Sequence, residues 1–577
     1  MYAFSVFGRF FPKVVEKHGF CGTIKYYTDF EGELSMINIR IGSDVRQVPS
    51  GTLLETLSQQ YEGAFFAAKV NNRLRELTYE LKDDALVEFL DFGKVDSLRI
   101  YATSMRYLIC MAFSRVFPNI QIKFSNSIAM GIYGRAINGE LNPTMIHAVL
   151  EEMRRLIKAD LPIVRQKETI AKISKYYEKQ GLIDKVETLK YRKEKVNVYV
   201  CDGYMNYMYG YMVPSTRYLR EFELFYYTPG FLARFPRVEA NGQIPEFADS
   251  PRFLRVLNKA EQWAVSCDAD MIYKINKKIE AGKEVEFVNM CETRHNDRLC
   301  ELGEMIVRDI DNIRLIAIAG PSSSGKTTFC RRLEIELLTR GIRPLPISID
   351  NYYLPVEQAP VDEFGHPDLE HVNALDLALF NQNIADLIAG KPVALPIFDF
   401  TAHGRRFTEP VTIAAHTPII IEGIHALNDL LTSFIPSDKK FKIYISPFAQ
   451  INIDNNNPIN LTDLRLLRRI VRDLQFRNTS PEKTLGMWPS VRRGEYKWIY
   501  PFIESANYIY NSELTYELCV LKKYALNALR RIPNDSEHYI AANRLIKFLK
   551  YFKDIDDYLV PCNSLLREFI GKSVFAH

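Results

Sequence analysis

Residues Gly320 to Thr328 read Gly-Pro-Ser-Ser-Ser-Gly-Lys-Thr-Thr, a run of small residues closed by a lysine and two hydroxyls. Small side chains at Gly320, Ser322, Ser323, Ser324 and Gly325 let consecutive N–H groups turn inward around a phosphate. A helix behind them adds the positive end of its dipole. Lys326 brings a mobile charge to the outer phosphates. Thr327 offers its hydroxyl to the magnesium ion that travels with a nucleoside triphosphate, and Thr328 completes the cradle. The apolar run Leu315 to Ala319 precedes the motif and a helical pattern from Phe329 to Arg340 follows it. That is the strand–loop–helix setting the chemistry requires, so ATP and Mg2+ are the expected cofactors.

Two carboxylates stand where such a site needs them. Ser348-Ile349-Asp350-Asn351-Tyr352-Tyr353 ends a short apolar segment, which puts Asp350 at the carboxyl edge of a sheet, the side where ligands bind in open α/β folds. A carboxylate near the metal can take the proton of a hydroxyl as it attacks the γ-phosphoryl group, which makes Asp350 the candidate general base; a cap of the next turn is the plainer role. Ile419-Ile420-Ile421-Glu422-Gly423 is a second buried strand ending in an acid, suited to the metal shell. In the segment Leu464 to Arg477, Arg465, Arg469 and Arg472 fall at i, i+4 and i+7 and share a helix face, with Arg468 and Arg477 nearby. Like charges so placed repel unless an anion or acids gather them. A movable lid clamping the transferring phosphate would use such residues; a solvated basic face is the alternative.

These residues need a scaffold. From Asn312 to about Ser512 the pattern alternates strand and helix, with Leu315 to Ala319, Pro344 to Ile349, Ile419 to Ile421 and Phe441 to Ile445 as short buried strands. This predicts an α/β unit with a parallel sheet covered by helices. One covering helix, Leu377 to Ala389, carries Leu377, Phe380, Ile384, Leu387 and Ile388 on one stripe and stops at Gly390. An α+β front half precedes it. Residues 36–92 alternate strands (Met36 to Ile41, Ala67 to Val70, Leu86 to Phe92) with one helix after Thr52, an order that suits a β-grasp module. A charged helical segment, Leu141 to Lys195, then leads to a tyrosine-rich strand region, Val196 to Met212. The alternation of its Tyr199, Tyr207, Tyr209 and Tyr211 is what one packed face produces, with base stacking as the other reading. The Pro-, Gly- and Asn-rich stretch Pro236 to Pro251 reads as a linker, helical material runs from Phe253 to Arg308, and the tail beyond Glu513 reads as helices. The expected division is 1–93, 94–236, 237–308, 309–515 and 516–577.

The chain has 577 residues, 47% hydrophobic and 25% charged, too many for a single core. No apolar stretch is long enough to span a bilayer, and the N-terminus lacks a secretory signal, so the expected location is the cytoplasm. Nine cysteines without a Cys-x-x-Cys pair argue for reduced thiols and against structural zinc. A net charge of +4 is too small to imply nucleic acid.

The phosphate loop, Ser348 to Tyr353, Pro396-Ile397-Phe398-Asp399-Phe400, Glu422-Gly423 and Arg468-Arg469-Ile470-Val471-Arg472-Asp473 occur in the order found in uridine kinases, and residues 312–512 resemble that family. The resemblance implies transfer of the γ-phosphoryl of ATP to the 5′-hydroxyl of uridine or cytidine. It also implies that Asp350 is the base and that Thr327, Asp350 and Glu422 surround the magnesium. Tyr353, Phe400 and His403 match positions that hold the nucleoside; Arg469, Arg472 and Arg477 match arginines of the lid and nucleoside pocket. Where the family has a ribose-binding acid before a His-Pro pair, this chain has Gly365, leaving Asp368 or Asp362 as replacements. Thr479 and Met487 stand where the family has arginine and glutamine. The family also implies a homo-oligomer, unless the added domains block that interface.

Residues 36–92 resemble the TGS module of threonyl-tRNA synthetases, through Ser50-Gly51-Thr52-Leu53 and Ala68 to Arg73. The next unit resembles that family's editing domain, through Asp160-Leu161-Pro162-Ile163 and Met212 to Thr216. At the positions of the editing His-x-x-x-His and Cys-x-x-x-His pairs stand Tyr101 and Met105, then Met208 and Met212. None of these replaces imidazole or thiolate as metal ligand or proton carrier, so that chemistry is expected to be absent. The basic run from Arg154 to Lys195 offers RNA phosphates a contact, but Asp160, Glu168, Glu178 and Glu187 are interleaved in it. The reading that follows is a pyrimidine nucleoside kinase with a retired synthetase-like front half. The alternatives are a phosphoribulokinase-like sugar phosphate kinase and a nucleotide-gated RNA-binding regulator.

Overall fold

The computed structural model describes residues 35–362, 365–399 and 404–575. In the C-terminal half, five strands form one sheet in the order Leu345–Ser348, Ile419–Glu422, Leu315–Ala319, Lys440–Ser446, Tyr508–Asn511. Every neighbouring pair is parallel. Leu315–Ala319 is buried along its whole length because helices cover both sheet faces, hence its unbroken apolar run. Its alternate side chains feed two cores. Ile316 and Ile318 join the phosphate-loop helix Lys326–Leu338, the long helix Glu284–Val307 and the C-terminal helices. Leu315 and Ala317 meet Phe380, Ile384 and Leu387 of the helix Leu377–Ile388. Each such large aliphatic or aromatic side chain contributes about 1.5–3 kcal/mol by leaving water. The latter helix starts where Asp376 accepts the N–H of Leu379 at 3.0 Å and stops before Gly390 at φ +73°.

In the front half, Met36–Ile41 pairs antiparallel with Asp44–Pro49 and parallel with Ala85–Leu90. The sheet continues through Ala67–Val70 to Arg73–Arg75, with the short helix Leu54–Ser58 in the intervening chain. Asp44–Pro49 is not legible in the sequence because it is an edge strand that buries only Val48.

The expected helical segment from Leu141 to Lys195 needs correction. It consists of helix Pro143–Lys158, strand Val164–Thr169 and helices Ile170–Lys179 and Ile183–Leu189. The strand is exposed and pairs on one side only, with Lys195–Cys201, so no apolar alternation marks it. Its neighbouring basic residues are matched locally: Arg154 with Glu151, Arg155 with Glu152, Lys172 with Glu168 and Lys190 with Glu187, each at 2.7 Å. Short-range pairs of this kind offset the positive charge where it stands. Tyr199 and Tyr207 are buried, the first donating its hydroxyl to Glu76 at 2.5 Å, the second sharing a hydrogen bond with Tyr551 at 2.6 Å. Tyr101, Met105, Met208 and Met212 are buried in a single core.

The two halves are bolted together. Asp463 accepts Arg99 from the front half at 3.1 Å and Arg544 from the C-terminal helix Tyr539–Leu549. Buried Lys185 meets buried Asp454 at 3.1 Å, and Thr188 donates to the carbonyl of Ile453 at 2.7 Å. The eight described cysteines are unpaired. Among the described residues no helix is long and apolar enough to cross a membrane.

Candidate active site

The loop Gly320–Gly325 leaves the central strand and enters the helix Lys326–Leu338 through Ser323 at φ +60° and Gly325 at φ +90°. A methyl on Gly320 would collide with the carbonyl of Ile445 on the adjacent strand, so only glycine lets the loop turn there. The hydroxyls of Ser323, Ser324 and Thr328 are buried without a hydrogen-bond partner, and Thr327 is exposed. Unsatisfied polar atoms in a cradle this tight are what a phosphate-binding loop leaves when it is shaped for its ligand. The Lys326 ammonium rests against the carbonyl of Pro321 at 3.4 Å.

Asp350 lies in a one-turn helix, Ile349–Tyr352, directly after the edge strand. Arg405 fixes that turn by donating to the carbonyls of Tyr352 at 2.8 Å and Tyr353 at 3.0 Å, while its other end pairs with Asp376 at 2.9 Å. Burial pushes the Asp350 carboxyl up, and the positive charges of Lys326, Arg477 and Arg472 oppose that. Glu422, on the neighbouring strand, accepts the Ser348 hydroxyl at 2.8 Å. Burial raises its carboxyl to about 7, with Asp350 adding to the effect and Lys326 resisting it. Gly423 permits this closeness, since a methyl there would meet the Cβ of Ile349 at 2.8 Å. Thr327, Asp350 and Glu422 thus provide a hydroxyl and two carboxylates, all oxygen donors of the kind magnesium takes.

The arginines divide into two sets, which corrects the expectation that they form one lid. Arg465 and Arg468 are buried and structural. Arg465 pairs with buried Glu495 and donates to the Ser322 carbonyl at 3.2 Å. Arg468 pairs with buried Glu517 at 2.7 Å and donates to the Ser324 carbonyl at 3.4 Å. They brace the loop from behind. The other three gather on Asp473: Arg472 at 2.8 Å, Arg469 at 3.2 Å and the largely exposed Arg477 at 3.9 Å. Asp473 is the acid that offsets their mutual repulsion. Its role was readable from spacing, since it lies four residues from both Arg469 and Arg477. Arg469 also donates to the Ser322 hydroxyl at 3.1 Å, so this set spans the loop and the Asp350 side.

On the acceptor side, Asp368 accepts the N–H of Glu370 at 3.1 Å, and Asp362 accepts Arg493 at 3.3 Å. Burial raises the Tyr353 hydroxyl, with the negative charges of Asp350, Glu370 and Asp368 adding to it. Glu370 was not singled out in the sequence, yet burial raises its carboxyl to about 7, Glu495 adds to that, and Arg469 and Lys326 oppose it. Phe400 and His403 lie outside the described residues. A cleft of about 1720 Å³ opens here, lined by Asp362, Asp368 and His371 from this half and by Arg99 and Arg106 from the front half.

A phosphate loop feeding a parallel sheet, with two carboxylates at the sheet's carboxyl edge, defines a phosphate-loop kinase. Residues 315–517 match the Phosphoribulokinase / Uridine kinase family. The uridine kinase of Ligilactobacillus salivarius is 30% identical over 190 residues, covering 33% of this chain and 79% of the relative. That of Borrelia hermsii is 31% identical over 198 residues, covering 34% and 85%. The chain belongs to the phosphoribulokinase / uridine kinase family. The front half matches a different protein, the threonine–tRNA ligase of Desulforamulus reducens, at 28% identity over 195 residues; this is 33% of the chain and 31% of that enzyme.

Proposed function

We propose that the protein transfers the γ-phosphoryl group of ATP to the 5′-hydroxyl of a pyrimidine nucleoside, uridine or cytidine. What supports this reading is the placement of Asp350 directly after the strand Leu345–Ser348, at the same carboxyl edge of the parallel sheet from which the loop Gly320–Gly325 leaves. In this account the amides of residues 320–328 and the Lys326 ammonium hold the triphosphate. Thr327, Asp350 and Glu422 would hold the magnesium, which would neutralise charge on the phosphates. Asp350 takes the proton of the attacking hydroxyl as the bond from the γ-phosphorus to the ADP oxygen breaks. Arg469, Arg472 and Arg477 sit beside the transferring group, and Tyr353, Asp368, Phe400 and His403 receive the nucleoside.

The front half, in this reading, comprises a TGS-like module (1–93) and a degenerate editing-like domain (94–236). A linker and helical segment (237–308) joins it to the kinase unit (309–515) and its helical extension (516–577). Burial of Tyr101, Met105, Met208 and Met212 supports the loss of editing chemistry. A second reading, a sugar phosphate kinase, is favoured by one feature: three arginines gathered on Asp473, two of which, Arg472 and Arg477, also act on Asp350, suit an anionic acceptor. A coupled ADP-release assay across uridine, cytidine, other nucleosides and ribulose 5-phosphate decides. Turnover on pyrimidine nucleosides alone supports the first reading, turnover on ribulose 5-phosphate the second, and no turnover on any acceptor defeats both.

A further inference from the structure

The C-terminal extension reaches the phosphate loop. Its last helical turn, Arg567–Ile570, packs against the arginine-bearing helix Leu461–Phe476, whose Gln475 donates to the carbonyl of Phe569 at 3.3 Å. The Arg468 guanidinium lies over the Phe569 ring at 5.0 Å. Leu565 closes on Gly325, at the point where the loop becomes a helix; a methyl on that glycine would collide with the leucine. Ser564 anchors the preceding turn by donating to Glu292 at 2.5 Å. Leu565, Leu566 and Phe569 are all buried.

This packing carries a carboxylate to the loop. Glu568 accepts the backbone N–H of Thr328 at 3.3 Å. Thr328 is the third residue of the phosphate-loop helix, in the turn whose N–H groups have no partner within the helix and cradle phosphate oxygens in such loops. Around it, the hydroxyls of Thr328, Ser323 and Ser324 are buried and unpartnered. The negative charge of Glu568 also reaches Glu422. An anion from the chain itself therefore sits on a donor that a bound triphosphate needs.

We infer that the C-terminal segment 561–571 is an intramolecular ligand of the phosphate loop, with Glu568 competing for the nucleotide's place on Thr328. One N–H cannot serve a carboxylate and a phosphate together, and two anions at that spacing repel strongly away from bulk water. Nucleotide entry thus requires Glu568 to leave, and the apparent affinity for ATP is reduced by the fraction of molecules in which it is docked. The inference rests on the loop binding a nucleoside triphosphate.

The test uses the full chain and its Glu568→Gln variant, which keeps size while removing charge. Equilibrium binding of MgATP is measured by calorimetry. Hydrogen–deuterium exchange is followed at the amides of Ile570 and Gly571, which bond to Leu566 at 3.3 Å and Arg567 at 2.9 Å. Glu568→Gln is expected to bind ATP about tenfold tighter, the effect of losing one charge-assisted bond. ATP is expected to speed exchange at both amides in the unmodified protein. Equal or weaker binding by the variant, or slower exchange on adding ATP, overturns the inference and leaves the nucleotide site standing. If neither protein binds ATP, the nucleotide reading falls and takes the inference with it.

Discussion

Ser348 and Glu422 are joined by a 2.8 Å hydrogen bond between the ends of two adjacent parallel strands, with Asp350 two residues beyond the serine. The bond orients a carboxylate that burial alone would leave adrift. Ser348→Ala is expected to leave the fold intact and to raise the Mg2+ concentration needed for ATP binding about tenfold, the usual effect of losing an outer partner of a metal ligand. Magnesium titration of ATP binding measures it; an unchanged midpoint would remove Glu422 from the metal shell.

Gly320 approaches the carbonyl of Ile445 too closely for any side chain. Gly320→Ala is expected to abolish ATP binding. Circular dichroism should stay close to that of the unmodified protein, because the clash is confined to the loop and one carbonyl of the adjacent strand. Retained ATP affinity in that variant would mean that the loop relaxes without loss of its cradle.

Glu370 makes the protein's stability depend on pH near neutrality. Its folded carboxyl titrates at about 7, above the ordinary glutamate value, because of burial and then Glu495. An acid raised in the folded state contributes full stability below the unfolded pKa of about 4.3, and this is lost as pH rises through the folded value. Glu370→Gln should therefore match the unmodified protein at pH 4.5 and exceed it by pH 8, by about 2–3 kcal/mol. Thermal unfolding across that range checks the sign; a gap that shrinks toward alkaline pH contradicts it.

Asp463 behaves in the opposite way. Burial would raise its carboxyl, but Arg544 and Arg99 outweigh it and hold it at about 2. The stability from this depressed acid is present above about 3.9 and is lost as pH falls toward 2. Asp463→Asn leaves two arginines without their acid and is expected to cost about 3–5 kcal/mol near neutral pH. Urea unfolding with probes in both halves is expected to give coincident transitions in the unmodified protein and separate ones in the variant. Coincident transitions in the variant would mean that other contacts hold the halves together.

The sheet was legible because its strands are buried on both faces and leave unbroken apolar runs, as in Leu315–Ala319 and Ile419–Ile421. Asp44–Pro49 and Val164–Thr169 were not, since exposed edge strands carry no such signal. The phosphate loop and Asp350 could be read because local spacing sets their geometry. Arg465 and Arg468 looked like lid residues because the acids that bury them, Glu495 and Glu517, lie 30 and 49 residues away. Glu568, 240 residues from Thr328, had no local mark at all. Pairings across such distances emerge only from packing.

The proposed transfer turns on Asp350 acting as the proton acceptor beside a triphosphate gripped by Lys326 and the loop amides. Asp350→Asn, assayed for ADP release with uridine and for ATP binding on the same preparation, tests this most directly. The expected result is a loss of turnover of about 10²–10⁴-fold with ATP affinity changed less than about threefold. Turnover at the unmodified rate would contradict it.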